Sequence, residues 1–206
     1  MNLNKIRPNI FYWELKKILP NKITIVDVGC GPNSILRLFK KQIIKSYGID
    51  IHQKSIEISR KDKIHTNYIW DNATNLKKYF KNKSVDVVYC IDVVEHLKRS
   101  QSISLISDME NIAKKMIIIR TTNGFIHQDT LNKNTYQKHL SGFSPNYFSK
   151  KGYKLIGIDG PYFLRVNKSK KIKPTNIFLS VFANMLNPIF RYLPQYSFNF
   201  LAYKFL

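Results

Sequence analysis

The sequence predicts an α/β fold, a mostly parallel sheet with helices packed on both faces. Three observations carry this expectation. Short apolar, β-branched runs alternate with helical stretches up to about residue 120, as in parallel strands joined by crossover helices. The first run, Ile23–Val28, stops abruptly at Gly29 and Gly31. The second ends in an acid, Asp50. A chain of 206 residues is long enough for one domain with its own core.

Strands are expected near 23–28, 45–50, 66–70, 85–91 and 115–120, with helices near 34–41, 53–61, 74–80 and 100–113. Upstream, Asn9–Leu19 reads as a short amphipathic helix covering the sheet edge or the ligand pocket. Downstream, 122–143 is polar, contains glycines and is too long for an ordinary connection. Such loops at the carboxyl edge of a sheet bind or cover substrate. Ser144-Pro145 opens a short helix with Gly152 beyond its end. Tyr153–Asp159 and Tyr162–Val166, joined by Gly160-Pro161, read as a hairpin.

The segment ITIVDVGCGPN, residues 23–33, carries the chemistry. A strand, a glycine turn and a helix start bring bare backbone amides against a ligand, and the helix N-terminus favours an anionic group. The carboxylate of Asp50, ending the next strand, can accept both hydroxyls of a ribose. Together they describe a nucleoside-cofactor site. A dinucleotide fingerprint would need glycine where the chain has Ser34, and Asp27 would repel a phosphate but suits the amino end of an amino-acid-like ligand. A nicotinamide-dependent dehydrogenase is therefore disfavoured.

The pattern resembles the first motif of the class I S-adenosylmethionine-dependent methyltransferases, in the type 11-like branch, usually acid-x-Gly-x-Gly-x-Gly. Its third glycine falls on Asn33, which tolerates left-handed backbone. The resemblance runs over roughly 20–166. It implies a Rossmann-like seven-stranded sheet, mostly parallel with an antiparallel last strand, and S-adenosylmethionine as cofactor. It also implies cofactor contacts from Asp27, Gly29, Cys30 and Gly31, from Asp50 on the ribose and from Ile51 against the adenine. Asp71, Asn72 and Ala73 would meet the exocyclic amine, and Ile91 ends the fourth strand within SVDVVYCIDVVEHL. Each motif is weak alone; four in order at intervals of about twenty residues are specific.

The methyl carbon of such a donor is already electrophilic, so the protein mainly aligns a nucleophile and excludes water. A hydroxyl acceptor would gain from a general base. His96 and His139 are the candidates, the first after the fourth strand and the second on the long loop; His127 lies on the same loop. His52 and His65 read as structural or exposed. Glu95-His96 alone makes a poor metal site, so no metal is expected. Residues 135–166 resemble the carboxyl half of methyltransferases of glycan and polysaccharide biosynthesis. That resemblance implies O-methylation of a sugar hydroxyl, on a glycan, a lipid-linked glycan or another small acceptor. Competing readings are an RNA methyltransferase and a non-catalytic cofactor-binding scaffold at a membrane.

The chain divides at 166, with a methyltransferase-like domain over 1–166 and a tail over 167–206. Lys168, Lys170, Lys171 and Lys173 form a basic linker, and Ile177–Leu206 is aromatic-rich and reads as helical. Ile177–Leu186 is about half the length needed to cross a bilayer. The tail therefore packs on protein, in the domain or a homodimer, or lies at a membrane surface. The net charge of +21 is compatible with anionic lipid, nucleic acid or a lysine-rich composition alone, and no nucleic-acid-binding module is recognisable. Cys30 and Cys90 read as buried reduced thiols, and no secretory signal is evident at the N-terminus, so a cytoplasmic location is expected.

Overall fold

A computed structural model describes residues 10–130, 135–166 and 177–206. In chain order its elements begin with helix α1 (Ile10–Ile18) and strand β1 (Ile23–Val28), followed by β2 (Ile43–Asp50), α2 (Gln53–Lys61), β3 (Asn67–Trp70), α3 (Leu76–Tyr79) and β4 (Val85–Ile91). Then come α4 (Arg99–Ile112), β5 (Ala113–Thr122), α5 (Pro145–Ser149), β6 (Lys154–Pro161), α6 (Tyr162–Arg165), α7 (Ile177–Met185), α8 (Asn187–Phe190) and β7 (Ser197–Phe205). They form a seven-stranded sheet in the order β3-β2-β1-β4-β5-β7-β6. The pairings among β1 to β5 are parallel, and β7 runs antiparallel to both of its neighbours.

Successive strand residues point to opposite layers, so each strand feeds two cores. Val26, Val28, Val88, Cys90, Ile117, Ile119 and Phe200 pack with Leu105, Ile106, Met109 and Ile112 of α4. On the other face Ile23, Ile25, Val87, Tyr89, Met116, Ile118 and Leu201 pack with Phe11, Leu15 and Leu19. Burial on both faces explains why β4 and β5 read as continuous apolar runs.

Three expectations change. The helix expected at 34–41 is a single 3-10 turn, Ile35–Phe39, capped by the Ser34 hydroxyl, which accepts from the Leu36 N–H. The hairpin 153–166 does not form: β6 runs through Pro161, and Tyr162–Arg165 turns helical. The partner of β6 is β7, drawn from the tail that the sequence reads as helical. Phe200, Leu201 and Ala202 are buried between β5 and β6, so 197–205 belongs to the sheet.

The rest of the described tail is helical, and among the described residues no helix is long and apolar enough to cross a membrane. Phe178 and Tyr192 are 80% and 75% exposed, while Glu14 of α1 accepts from Arg191 at 2.9 Å and ties the helical tail to the first helix. The basic linker Lys168, Lys170, Lys171 and Lys173 lies outside the described residues. Both cysteines are buried free thiols.

Candidate functional site

The carboxyl ends of β1, β2 and β4 open on one side of the sheet, and two adjoining cavities lie there. The larger, of about 320 Å³, is lined by the glycine turn, the Asp50 end of β2, Asn72-Ala73 and the residues following β4. The smaller, of about 270 Å³, lies over β1, with Phe11 of α1 in its lining. The two share Gly29 and Asp92.

Gly29 and Gly31 have φ of 67° and 57°, in the region that favours glycine, and they make the turn. A Cβ on Gly29 would stand 2.3 Å from the Val93 side chain. A Cβ on Gly31 would meet no protein atom within 4 Å and would project into the open space beside the turn. Asn33 is not among the described residues with positive φ, so the left-handed conformation expected of it is not adopted. The turn needs only its first two glycines.

Asp50 joins two backbone turns. Its carboxylate accepts from the Gly31 N–H and the His52 N–H, each at 2.8 Å. Burial raises its pKa, against the pull of those two amides. Two bonds leave carboxylate lone pairs unused, enough for a diol. Asp27 is buried; the Ser34 hydroxyl donates to it at 2.5 Å and His65 Nε2 lies 3.3 Å away, so its carboxylate braces the turn from behind.

The sequence-predicted residues divide between the cavities. Gly29, Gly31, Asp50, Ile51, Asn72 and Ala73 line the larger, while Asp27, Cys30 and Ile91 line the smaller, again with Gly29. Asp71 is the exception. Its carboxylate turns away to accept from Tyr79, Asn75 and the Asn72 N–H, which together hold its pKa down at about 2. It shapes the 72–75 turn and lines neither cavity.

His52 also lines the larger cavity, with its Nδ1 2.9 Å from the Ser55 hydroxyl. Asp92, the acid that ends the fourth-strand run, is given no role by the sequence; it follows β4 with φ of 54° and pairs with Arg120 at 2.7 Å. An acid directly after a buried strand is the signal that could have found it. Arg120 also pairs with Asp159 at 2.8 Å, joining β5 to β6 beside the smaller cavity.

The long loop after β5 does cover the cavity, with Thr135, Tyr136, Gln137 and Leu140 in its lining. It carries His139 to within 4.9 Å of His96, ring centre to ring centre. His96 faces the cavity, whereas His139 is buried behind it. Burial lowers the pKa of both rings and favours their neutral forms. Glu95, beneath them, is pushed up to about 8 by burial and by the nearby Asp92. His127 stands apart, 3.8 Å from Asp129.

Residues 26–115 match the methyltransferase domain family. Over those residues the chain is a methyltransferase domain, and S-adenosylmethionine-dependent methyltransferases share its fold. A methyltransferase of Archaeoglobus fulgidus shares the fold of this domain at a TM-score of 0.62 and 18% identity, covering 94% of this chain and 92% of that one. The magnesium protoporphyrin IX methyltransferase of Synechocystis, solved with bound S-adenosylmethionine, aligns at a TM-score of 0.51 and 13% identity, over 95% and 74% of the two chains. At these identities the likeness is one of fold.

Among curated proteins, the ubiquinone biosynthesis O-methyltransferase of Rickettsia canadensis is 33% identical over 41% of this chain and 36% of that protein. That of Rickettsia akari is 29% identical over 59% and 51%. The chain thus spans about half the length, or less, of these relatives.

The residues fit the cofactor of this family. The open space beside Gly31 leaves room for a ligand against the turn, and the two cavities sharing Gly29 provide places for a nucleoside and an amino-acid end. Asp50 and Ile51 would hold the ribose and adenine, and Asn72-Ala73 would edge the base. The methionine end would lie over β1 beside Arg120.

Proposed function

We propose that this protein transfers a methyl group from S-adenosylmethionine to a hydroxyl oxygen of a small acceptor. The observation that carries the reading is the cavity itself, with the glycine turn and Asp50 at one end and His96 and Leu140 at the other. When bound, the donor supplies an electrophilic methyl carbon. The protein binds its nucleoside end, aligns an acceptor near His96, and keeps water out with the loop bearing Tyr136 and Leu140.

Two features support an oxygen acceptor. The relatives are named O-methyltransferases, and neutral imidazole at the cavity rim suits a hydroxyl. Within that class we favour a sugar hydroxyl on a glycan or lipid-linked glycan, on the resemblance of 135–166 alone. RNA is the second acceptor class and rests only on net charge. The exposed Phe178, Phe182, Met185, Ile189 and Tyr192 favour peripheral contact with a membrane, where a lipid-linked acceptor would reside.

The test is transfer of labelled methyl from the donor into cell extract separated into lipid, glycan and RNA fractions. Label in the lipid or glycan fraction, released on cleavage of a methyl ether, is the expected result. Label confined to RNA would overturn the acceptor, and the absence of donor binding in calorimetry would overturn the enzyme.

A further inference from the structure

We propose that Glu95, His96 and His139 form a site for one divalent transition-metal cation of the zinc class, at the rim of the cofactor cavity. Among the described residues, one ligand atom from each lies within 4.8 Å of the other two. The sequence shows only the adjacent Glu95-His96 pair. The third ligand arrives on the loop after β5, where the Leu140 and Ser141 N–H groups donate to the Glu95 carbonyl at 2.8 and 3.1 Å and dock the loop against the pair.

Hydrogen bonding aims the lone pairs. His139 Nδ1 lies 2.7 Å from the Ile126 carbonyl oxygen, and His96 Nδ1 lies 3.2 Å from that of Lys138. A carbonyl can only accept, so each Nδ1 carries the proton and each Nε2 presents its lone pair. Backbone carbonyls fix metal-binding imidazoles in this same way. The Glu95 carboxylate accepts from the Thr121 hydroxyl at 2.9 Å through Oε2.

Charge points the same way. Glu95 is 1% exposed, and no Lys or Arg among the described residues forms an ion pair with it. A buried carboxyl group is paired, binds a metal or holds a proton that a metal would displace. Two neutral imidazoles and one carboxylate suit zinc-like cations over magnesium, and three protein ligands leave a position open, as in catalytic zinc sites. Metal–ligand bonds of about 2.0–2.2 Å would require the three groups to close by roughly an ångström. Because His96 also lines the cavity, the open position would face the acceptor. A hydroxyl there would lose its proton to solvent more readily, making a histidine base unnecessary. That use rests on the proposed function; binding of the cation does not.

The experiment is calorimetric titration of chelator-treated full-length protein with Zn²⁺, then with Mg²⁺, beside a titration with S-adenosylmethionine. One equivalent of Zn²⁺ per chain is expected, at least tenfold tighter than Mg²⁺. His96→Gln should weaken Zn²⁺ at least tenfold, as should Glu95→Gln where the variant folds. His96 is the more accessible, so its variant keeps the test available if buried Glu95 is needed for folding. Zn²⁺ binding unchanged in His96→Gln, or no binding at all, overturns the site. Loss of Zn²⁺ binding alone sinks the cation site, whereas loss of donor binding alone sinks the proposed function.

Discussion

The Gly31 N–H donates to Asp50 Oδ2 at 2.8 Å, so the glycine turn after β1 and the acid ending β2 form one rigid unit. The same carboxylate receives the His52 N–H through its other oxygen, fixing its plane before any ligand arrives. A preordered carboxylate loses little entropy on binding. Replacing Asp50 with Ala should therefore weaken S-adenosylmethionine by about 1.5–3 kcal/mol, roughly ten- to more than a hundredfold. Calorimetry on the variant checks this, and NAD should not bind the wild-type protein; unchanged donor affinity would remove Asp50 from the ribose.

The two glycines of the turn should fail differently. In Gly29→Val the new side chain meets Val93 and the backbone is strained, so the main loss is in folding, roughly 2–4 kcal/mol, read by thermal melting. Gly31→Val has open space, and its backbone strain should cost only about 1–2 kcal/mol. Its branched side chain projects beside the turn, so donor affinity should fall more than stability. Equal effects on both properties in both variants would contradict the geometry.

Asp71 offers a pH test with a definite sign. Its pKa is held at about 2 by Tyr79, Asn75 and the Asn72 N–H. The folded value is below the unfolded one, so its stabilising contribution is complete above the ordinary carboxylate range and is lost as pH falls towards 2. Removing one donor with Tyr79→Phe should move the titration up towards about 3.9. Carboxyl-carbon NMR would show it. A midpoint that stays in place would mean that Tyr79 contributes nothing.

Arg120 should prove structural as well as close to the cofactor. It donates to Asp92 at 2.7 Å and Asp159 at 2.8 Å, and Asn199 of β7 donates to the same Asp159 oxygen at 2.7 Å. Burial alone would raise Asp159, but Arg120 and Asn199 hold it below the usual carboxylate range. Arg120→Met would leave two acids facing one another. A loss of about 2–3 kcal/mol is expected, less than for a fully buried pair because these groups retain some solvent contact. Urea unfolding measures it, and the loss should shrink as pH falls and the acids protonate.

Removing the tail after Val166 should abolish the fold, because β7 lies between β5 and β6 and buries Phe200, Leu201 and Ala202. Expression of that truncation should give insoluble protein. The lipid question needs point changes. Phe178→Ser with Phe182→Ser should leave thermal stability within about 0.5 kcal/mol, since both side chains are exposed. The pair should still reduce sedimentation with anionic liposomes severalfold, an interaction that high salt also weakens. Equal sedimentation of variant and wild type would leave the membrane contact without support.

Elements whose signals are local were legible before folding. Strand β1, strand β4 and helix α2 have their expected limits because periodicity, the glycine break and the terminal acid each lie within one short window. The cofactor turn was legible for the same reason: Gly29, Gly31 and Asp50 announce their roles by residue type and position. Tertiary structure alone decided where the tail goes. SFNFLAYKF is buried on both faces as β7, so it lacks the alternation that marks a half-exposed strand, and its partners lie far off in the chain. Asp71 turned away for a comparable reason, since two donors on the following turn and Tyr79 of α3 outweighed an open cavity. His139 joins Glu95 and His96 only because the loop docks through Leu140 and Ser141, and a contact across that separation has no local signature. Spacing therefore revealed the nucleoside end of the site, and folding alone assembled the end where the methyl group would leave.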